Sequence, residues 1–74
     1  MRLNVNWQRA ALNIQNAGMP LERASRIVGR NKGWLGQIAR GEVQSVEVGD
    51  AINLLDLHLD LVGAEKTAAL RGVS

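Results

Sequence analysis

The chain has 74 residues and a mass of 8.0 kDa, which leaves room for one core and none for a separate catalytic domain. With no cysteine and a single histidine, His58, it excludes a disulfide scaffold, a thiolate zinc site, an iron–sulfur cluster and a thiol nucleophile, and His58 cannot assemble a histidine metal site alone. The formal net charge of +2 hides a polarity: residues 1–41 carry seven basic residues against Glu22, a net +6, while residues 42–74 carry two against six acidic residues, a net −4.

A basic half of this kind suits a protein that turns one face toward a polyanion, although solvated helix surfaces produce the same count, so spacing has to decide. The apolar runs are far shorter than a bilayer span, and Met1 to Asn6 lacks the apolar core of a secretory signal, so the expected location is the cytoplasm, with no membrane partner. Two Trp, no Phe and no Tyr leave Leu, Ile, Val and Ala to fill the interior, which favours packed helices. The expectation is an all-α compact bundle of four to five short helices. Without repeats or a linker, residues 1–62 form one domain, followed by a tail over 63–74.

In chain order, Trp7, Ala10, Ala11, Ile14 and Ala17 recur at the helical period and predict a first helix over 6–17. Gly18 suits its C-terminal cap, and Pro20 suits the first turn of the next helix. That second helix, 20–28, should turn Leu21, Ala24, Ile27 and Val28 inward and Glu22, Arg23 and Arg26 outward, and end at Gly29. After a connection of about two or three residues, Asn31 can cap a third helix, 31–40, whose Trp34, Leu35 and Ile38 bury one side before Gly41. So short a connection makes the second and third helices cross steeply, as a helix-turn-helix does. Ser45 is placed to cap a longer helix running from Val46 past Leu59. That helix carries two apolar stripes, Val48, Ile52, Leu55, Leu59 and Val62 on one side and Leu54, Leu57 and Leu61 on another. From Gly63 to Leu70 there is room for a short extra helix, and 71–74 should fray.

Residues 20–41 carry the sharpest pattern. Ser25 is small where two helices cross, Gly29 permits the tight turn, and Leu35 and Ile38 anchor the following helix. The run Pro20-Leu-Glu-Arg-Ala-Ser-Arg-Ile-Val-Gly-Arg-Asn-Lys-Gly-Trp-Leu-Gly-Gln-Ile-Ala-Arg-Gly41, with its Ile-x-Arg-Gly ending, resembles the Cro-like and lambda-repressor-like helix-turn-helix regulators of phages and bacteria. The resemblance covers residues 5–62. Pro20, Ser25 and Arg30 stand where that family often has Ser or Thr, Ala and an apolar residue. Glycines at both 33 and 36 are unusual in a recognition helix, since each costs about 1 kcal/mol relative to Ala. They either let the backbone approach DNA or mark a face that makes no base contact.

The resemblance implies that the third helix lies in the major groove, with Lys32, Gly33, Gly36 and Gln37 at the base edges. Lys32 can donate to guanine and Gln37 can pair with adenine. Arg23, Arg26, Arg30 and Arg40 are then phosphate contacts that set register without reading sequence, and Asn31 would cap the helix beside a phosphate. Trp34 divides between packing and a backbone contact through its indole N–H. Arg2 and Arg9 read as surface charge, though Arg2 on an N-terminal arm could touch the backbone.

The second leucine stripe calls for a cover, because each extra buried Leu contributes about 1.5–3 kcal/mol. We expect a homodimer through Leu54, Leu57, Leu61 and His58, the alternative being a tail over 64–70 folded back across the stripe. A twofold dimer would space two recognition helices about 34 Å apart, matching an inverted repeat. The expected function is sequence-specific binding of double-stranded DNA as a transcriptional regulator, most simply a repressor of phage type. A phage packaging or recombination accessory protein and an antitoxin-like or adaptor-like protein-binding module compete with it. Asp56 and Asp60, one turn apart, read as solvated charge in the absence of a second histidine or a phosphate loop, so no enzyme is expected, and neither a cofactor nor a small-molecule ligand is implied.

Overall fold

Asn6 starts the first helix, α1 (Trp7–Asn16): its side chain accepts the Arg9 N–H at 3.1 Å and so satisfies a donor that has no partner inside the helix. The computed structural model describes residues 5–43 and 45–71, and Arg2 lies outside that range. Trp7, Ala10, Ala11 and Ile14 face the core as predicted, whereas Ala17 is the exposed C-cap. The next elements are α2 (Leu21–Val28), α3 (Trp34–Ala39), α4 (Val48–Val62) and α5 (Ala64–Ala69). Every described helix is α, and the β pairing between described residues is a single antiparallel bridge, Val5 to Arg71, beside the Asn6 N–H to Leu70 carbonyl bond of 3.1 Å. None of the described helices is long and apolar enough to cross a membrane.

Pro20 is the N-cap of α2 rather than its first residue. On α2, Ala24, Ser25 and Val28 are buried and Leu21 is half-buried; Ile27, expected inside, is 54% exposed. Four positions already fill the inward arc of so short a helix, and Ile27 lies a full 100° step from Val28. The chain leaves α2 through Gly29 in the left-handed region, φ 94°, a conformation open to glycine and strained for other residues. The connection is 29–33, longer than expected, because Asn31 makes a turn of its own: its side chain accepts the Gly33 N–H at 3.0 Å and its carbonyl accepts the Trp34 N–H at 3.1 Å. Asn31 therefore caps the turn before α3, and α3 begins at Trp34 instead of Lys32.

The largest correction concerns α4. It begins at Val48, with Glu47 as an extended N-cap that makes no side-chain cap bond; Ser45 is exposed and Val46 packs half-buried against the core. The stripe that faces inward is Ala51, Leu54 and His58, all at 0% exposure, with Leu57 and Leu61 half-buried beside it. Leu54, Leu57, His58 and Leu61 were expected at a dimer interface; the folded chain itself covers Leu54 and His58 fully and Leu57 and Leu61 in part. Val48, Ile52 and Leu59, expected inside, are 46%, 60% and 44% exposed. Ala51 allows α4 to approach its neighbours closely, and His58 is accommodated by hydrogen bonds, so the inward face contains a small residue and a polar one. A count of large apolar side chains selects the other face.

The tail supplies part of the cover, together with α1 and α2. Gly63, at φ 109°, ends α4 and opens α5, and Leu70 is buried in the common core. Residues 64–71 thus belong to the folded unit, and Arg71, expected to fray, instead pairs with Val5; positions 72–74 lie outside the described residues.

Candidate nucleic-acid interface

The corner between α2 and α3 is held by one hydroxyl. Ser25 has no solvent exposure; its Oγ donates to the Leu21 carbonyl at 2.8 Å and accepts the Leu35 N–H at 2.9 Å. Leu35 lies in the first turn of α3, where backbone donors have no intrahelical acceptor, so α2 caps α3 through a side chain. A small residue at this crossing was legible in the sequence, but the bond was not. At the other end of α3, the exposed Gln8 of α1 donates from Nε2 to the Ala39 carbonyl at 2.9 Å. With Trp34, Leu35 and Ile38 buried, α3 is fixed at both ends and along its inner face.

Its outer face is formed by Gly33, Gly36, Gln37 and Arg40, which follow one another at helical spacing; Gly33, Gln37 and Arg40 are exposed. Gly36 is only half-exposed because Arg40 folds back over it: a Cβ at position 36 would sit 3.3 Å from the Arg40 Nη1. The Arg40 Nε donates to the Glu42 Oε2 at 2.7 Å, and that bond and charge hold the Glu42 carboxyl below its ordinary range. Of the two expected readings of Gly36, neither includes this arginine.

The remaining cations divide into two kinds. Arg23 and Arg26 are exposed one turn apart on the outer face of α2, and Lys32 is exposed in the connection; none has a carboxylate within ion-pair distance among the described residues. Arg30 is tied down, its guanidinium 5.6 Å from the centre of the Trp34 ring and its Nη1 3.7 Å from the Asp50 Oδ2 on α4. Trp34 itself is 6% exposed, so its ring belongs to the core and serves as a platform for Arg30, which corrects the expectation of a residue half on the surface. Arg9 is exposed on α1. The site residues from Arg23 to Arg40 thus lie on α2, on α3 and its C-cap, and on the connection between them. The basic and acidic halves meet in two ion pairs, Arg30 with Asp50 and Arg40 with Glu42.

His58 of α4 joins three helices, through Asn13 of α1 and Thr67 of α5. Asn13 Nδ2 lies 3.2 Å from its Nε2, and Thr67 Oγ1 lies 2.6 Å from its Nδ1 and donates onward to the Gly63 carbonyl at 2.8 Å. The donor order is self-consistent with a neutral ring protonated at Nδ1: amide to Nε2, Nδ1–H to hydroxyl, hydroxyl to carbonyl. Burial, and secondarily the charge of Lys66, pushes the imidazole below its ordinary range. No protein family, curated protein or solved structure matches the chain.

Proposed function

We propose that this chain is a sequence-specific regulator that binds double-stranded DNA as a helix-turn-helix protein of the Cro-like and lambda-repressor-like kind. The observation that carries the reading is the α2–α3 corner: a short helix, locked from behind by Ser25, whose outer face bears side chains with no part in the core. In this reading α3 enters the major groove. Gln37 pairs with an adenine edge and Lys32, at the entrance, donates to a guanine. Arg23 and Arg26 neutralise phosphates on one flank, and Arg30, steadied by Trp34, lies beside them.

The reading includes a homodimer. The longest extent of the fold is 30 Å, so recognition helices about 34 Å apart on successive turns of a duplex require two copies. The face that suits a second copy is the one α4 leaves open, with Ile52, Leu55 and Leu59 around a groove of about 400 Å³. Asp56 and Arg71 line the same groove, and among the described residues they form no ion pair. A twofold mate can therefore offer each charge its opposite. An adaptor that grips another protein would use the same open face of α4.

Binding to random duplex as a function of salt separates the two. A DNA-binding protein loses affinity as salt rises, with a slope of log affinity near 0.9 per neutralised phosphate; a slope near zero favours the adaptor. Sites selected from a random duplex pool should be short inverted repeats. Gln37→Ala should relax one base position by about 1–3 kcal/mol, while Arg26→Ala weakens all sequences alike.

A further inference from the structure

Arg40 departs from the other cations of the corner in a way that changes its role. Paired with Glu42, it is locally neutral, so it adds little to the attraction of a polyanion, and a phosphate contact gains nothing from a carboxylate beside it. What the pairing does supply is aim. Glu42 takes the Nε donor at 2.7 Å, and the absence of a side chain at Gly36 lets Nη1 rest against the backbone of α3, on the outer face next to Gln37. An arginine held this way has the terminal Nη1 and Nη2 donors of its planar fork left to present, a shape that matches two adjacent acceptors. In the major groove guanine shows such a pair, O6 and N7.

We propose that Arg40, laid over Gly36 and oriented by Glu42, is a base-reading residue that selects a guanine next to the base contacted by Gln37. This deepens the DNA-binding reading and rests on it. Residues 37 and 40 are three apart on one helix face, about 4.5 Å along the axis, so the guanine falls within roughly one or two base pairs of the Gln37 position. Glu42 is a positioning residue. It weakens general attraction by its charge and sharpens preference by holding the fork.

The test is site selection from a random duplex pool with the full chain, followed by affinities for the selected site, for the same site with the guanine replaced, and for random duplex. All three substituted positions are solvent-facing or partly so, and circular dichroism verifies the fold. Arg40→Ala should abolish preference for the guanine, a loss of about tenfold or more, and leave the Gln37 position intact. Arg40→Lys should keep affinity for random duplex and still lose the guanine. Glu42→Gln should move two readouts in opposite directions, tightening random duplex while lowering the guanine preference. Gly36→Ala should lower that preference by displacing the arm.

If Arg40→Ala weakens every sequence equally, Arg40 is a phosphate contact and the inference falls. If Glu42→Gln tightens selected and random duplex alike, Glu42 only screens charge and the orienting role falls. A wild-type chain with no salt-dependent duplex binding overturns the DNA-binding reading, and this inference with it. A wild-type chain that selects a site without the guanine overturns this inference alone.

Discussion

Ser25 and His58 are both closed to solvent and each joins helices that would otherwise meet only through apolar contact, yet the two joints differ in chemistry. The Ser25 hydroxyl has no charged form near neutral pH, and both of its partners are backbone groups of α2 and α3. His58 can ionise, and its partners are side chains, Asn13 of α1 and Thr67 of α5. The corner that carries the proposed readout is thus fixed by a bond indifferent to pH, while the acidic end of the chain is tied by one that is not. A further contrast lies in the surroundings: exposed cations beside the first joint, and a mixture of buried leucine and exposed isoleucine on the helix that carries the second.

The largest expected effect tests whether the His58 side of α4 is the inner one. Leu54→Ala should cost about 2–5 kcal/mol of stability, because the buried site leaves a cavity. Ile52→Ala, on the open face, should cost within about 0.5 kcal/mol in the isolated chain. Urea unfolding of both variants decides it, and comparable losses would restore the stripe order expected from apolar counting. Ile52→Glu should in addition remove any concentration dependence of the mass seen in sedimentation, if the open face of α4 seats a second copy.

Next in size is the serine joint. Ser25→Ala leaves the Leu35 N–H buried without its acceptor, a loss of about 1–3 kcal/mol. The loss should be the same at pH 5 and at pH 8, since nothing in the joint titrates. An unchanged urea midpoint would mean that packing of Ala24, Val28, Leu35 and Ile38 sets the corner without the bond.

The histidine joint should behave otherwise. Burial and Lys66 hold the folded-state imidazole below its ordinary 6.5, so the unfolded chain binds the proton first as pH falls. The contribution of the neutral ring is therefore complete above about pH 6.5 and is lost progressively as pH drops through the lower folded-state value. Protonation also requires a donor at Nε2, where Asn13 already presents its amide N–H. The difference in stability between wild type and His58→Gln, followed from pH 7.5 to 5, should shrink on acidification. A difference that is flat with pH would show that folding does not lower the proton affinity of the ring.

These contrasts also explain what the sequence made legible. The inner face of α1 and the Trp34, Leu35, Ile38 anchor of α3 follow from periodicity, because there large apolar residues are also the buried ones, and the outward arginines of α2 follow from it too, although Ile27 breaks the pattern. On α4 that identity fails, since Ala51 and His58 hold two of the inward positions and the suitability of His58 depends on partners 45 and 9 residues away in sequence. The fate of the tail follows from the same cause: Thr67 and Leu70 have no visible role until α4 is turned to face them. At the candidate interface the residue types were legible, and Ser25 stood out by its size. The arginine laid over Gly36 was not, although Glu42 two residues beyond Arg40 is a local signal of a restrained side chain.

The smallest expected effect lies where the basic corner meets the acidic helix. Arg30 and Asp50 approach at 3.7 Å with side chains 44% and 18% exposed, a long and partly solvated contact, so Asp50→Asn should change stability by at most about 1 kcal/mol. The charge it removes is nonetheless the one that competes with a phosphate for Arg30. In Asp50→Asn the guanidinium keeps its place over the Trp34 ring and loses its carboxylate, so affinity for random duplex should rise and its salt dependence should steepen by up to about one phosphate equivalent. Tighter binding without a steeper slope would mean that Asp50 acts through the general field of the acidic half, and that Arg30 does not itself reach the duplex.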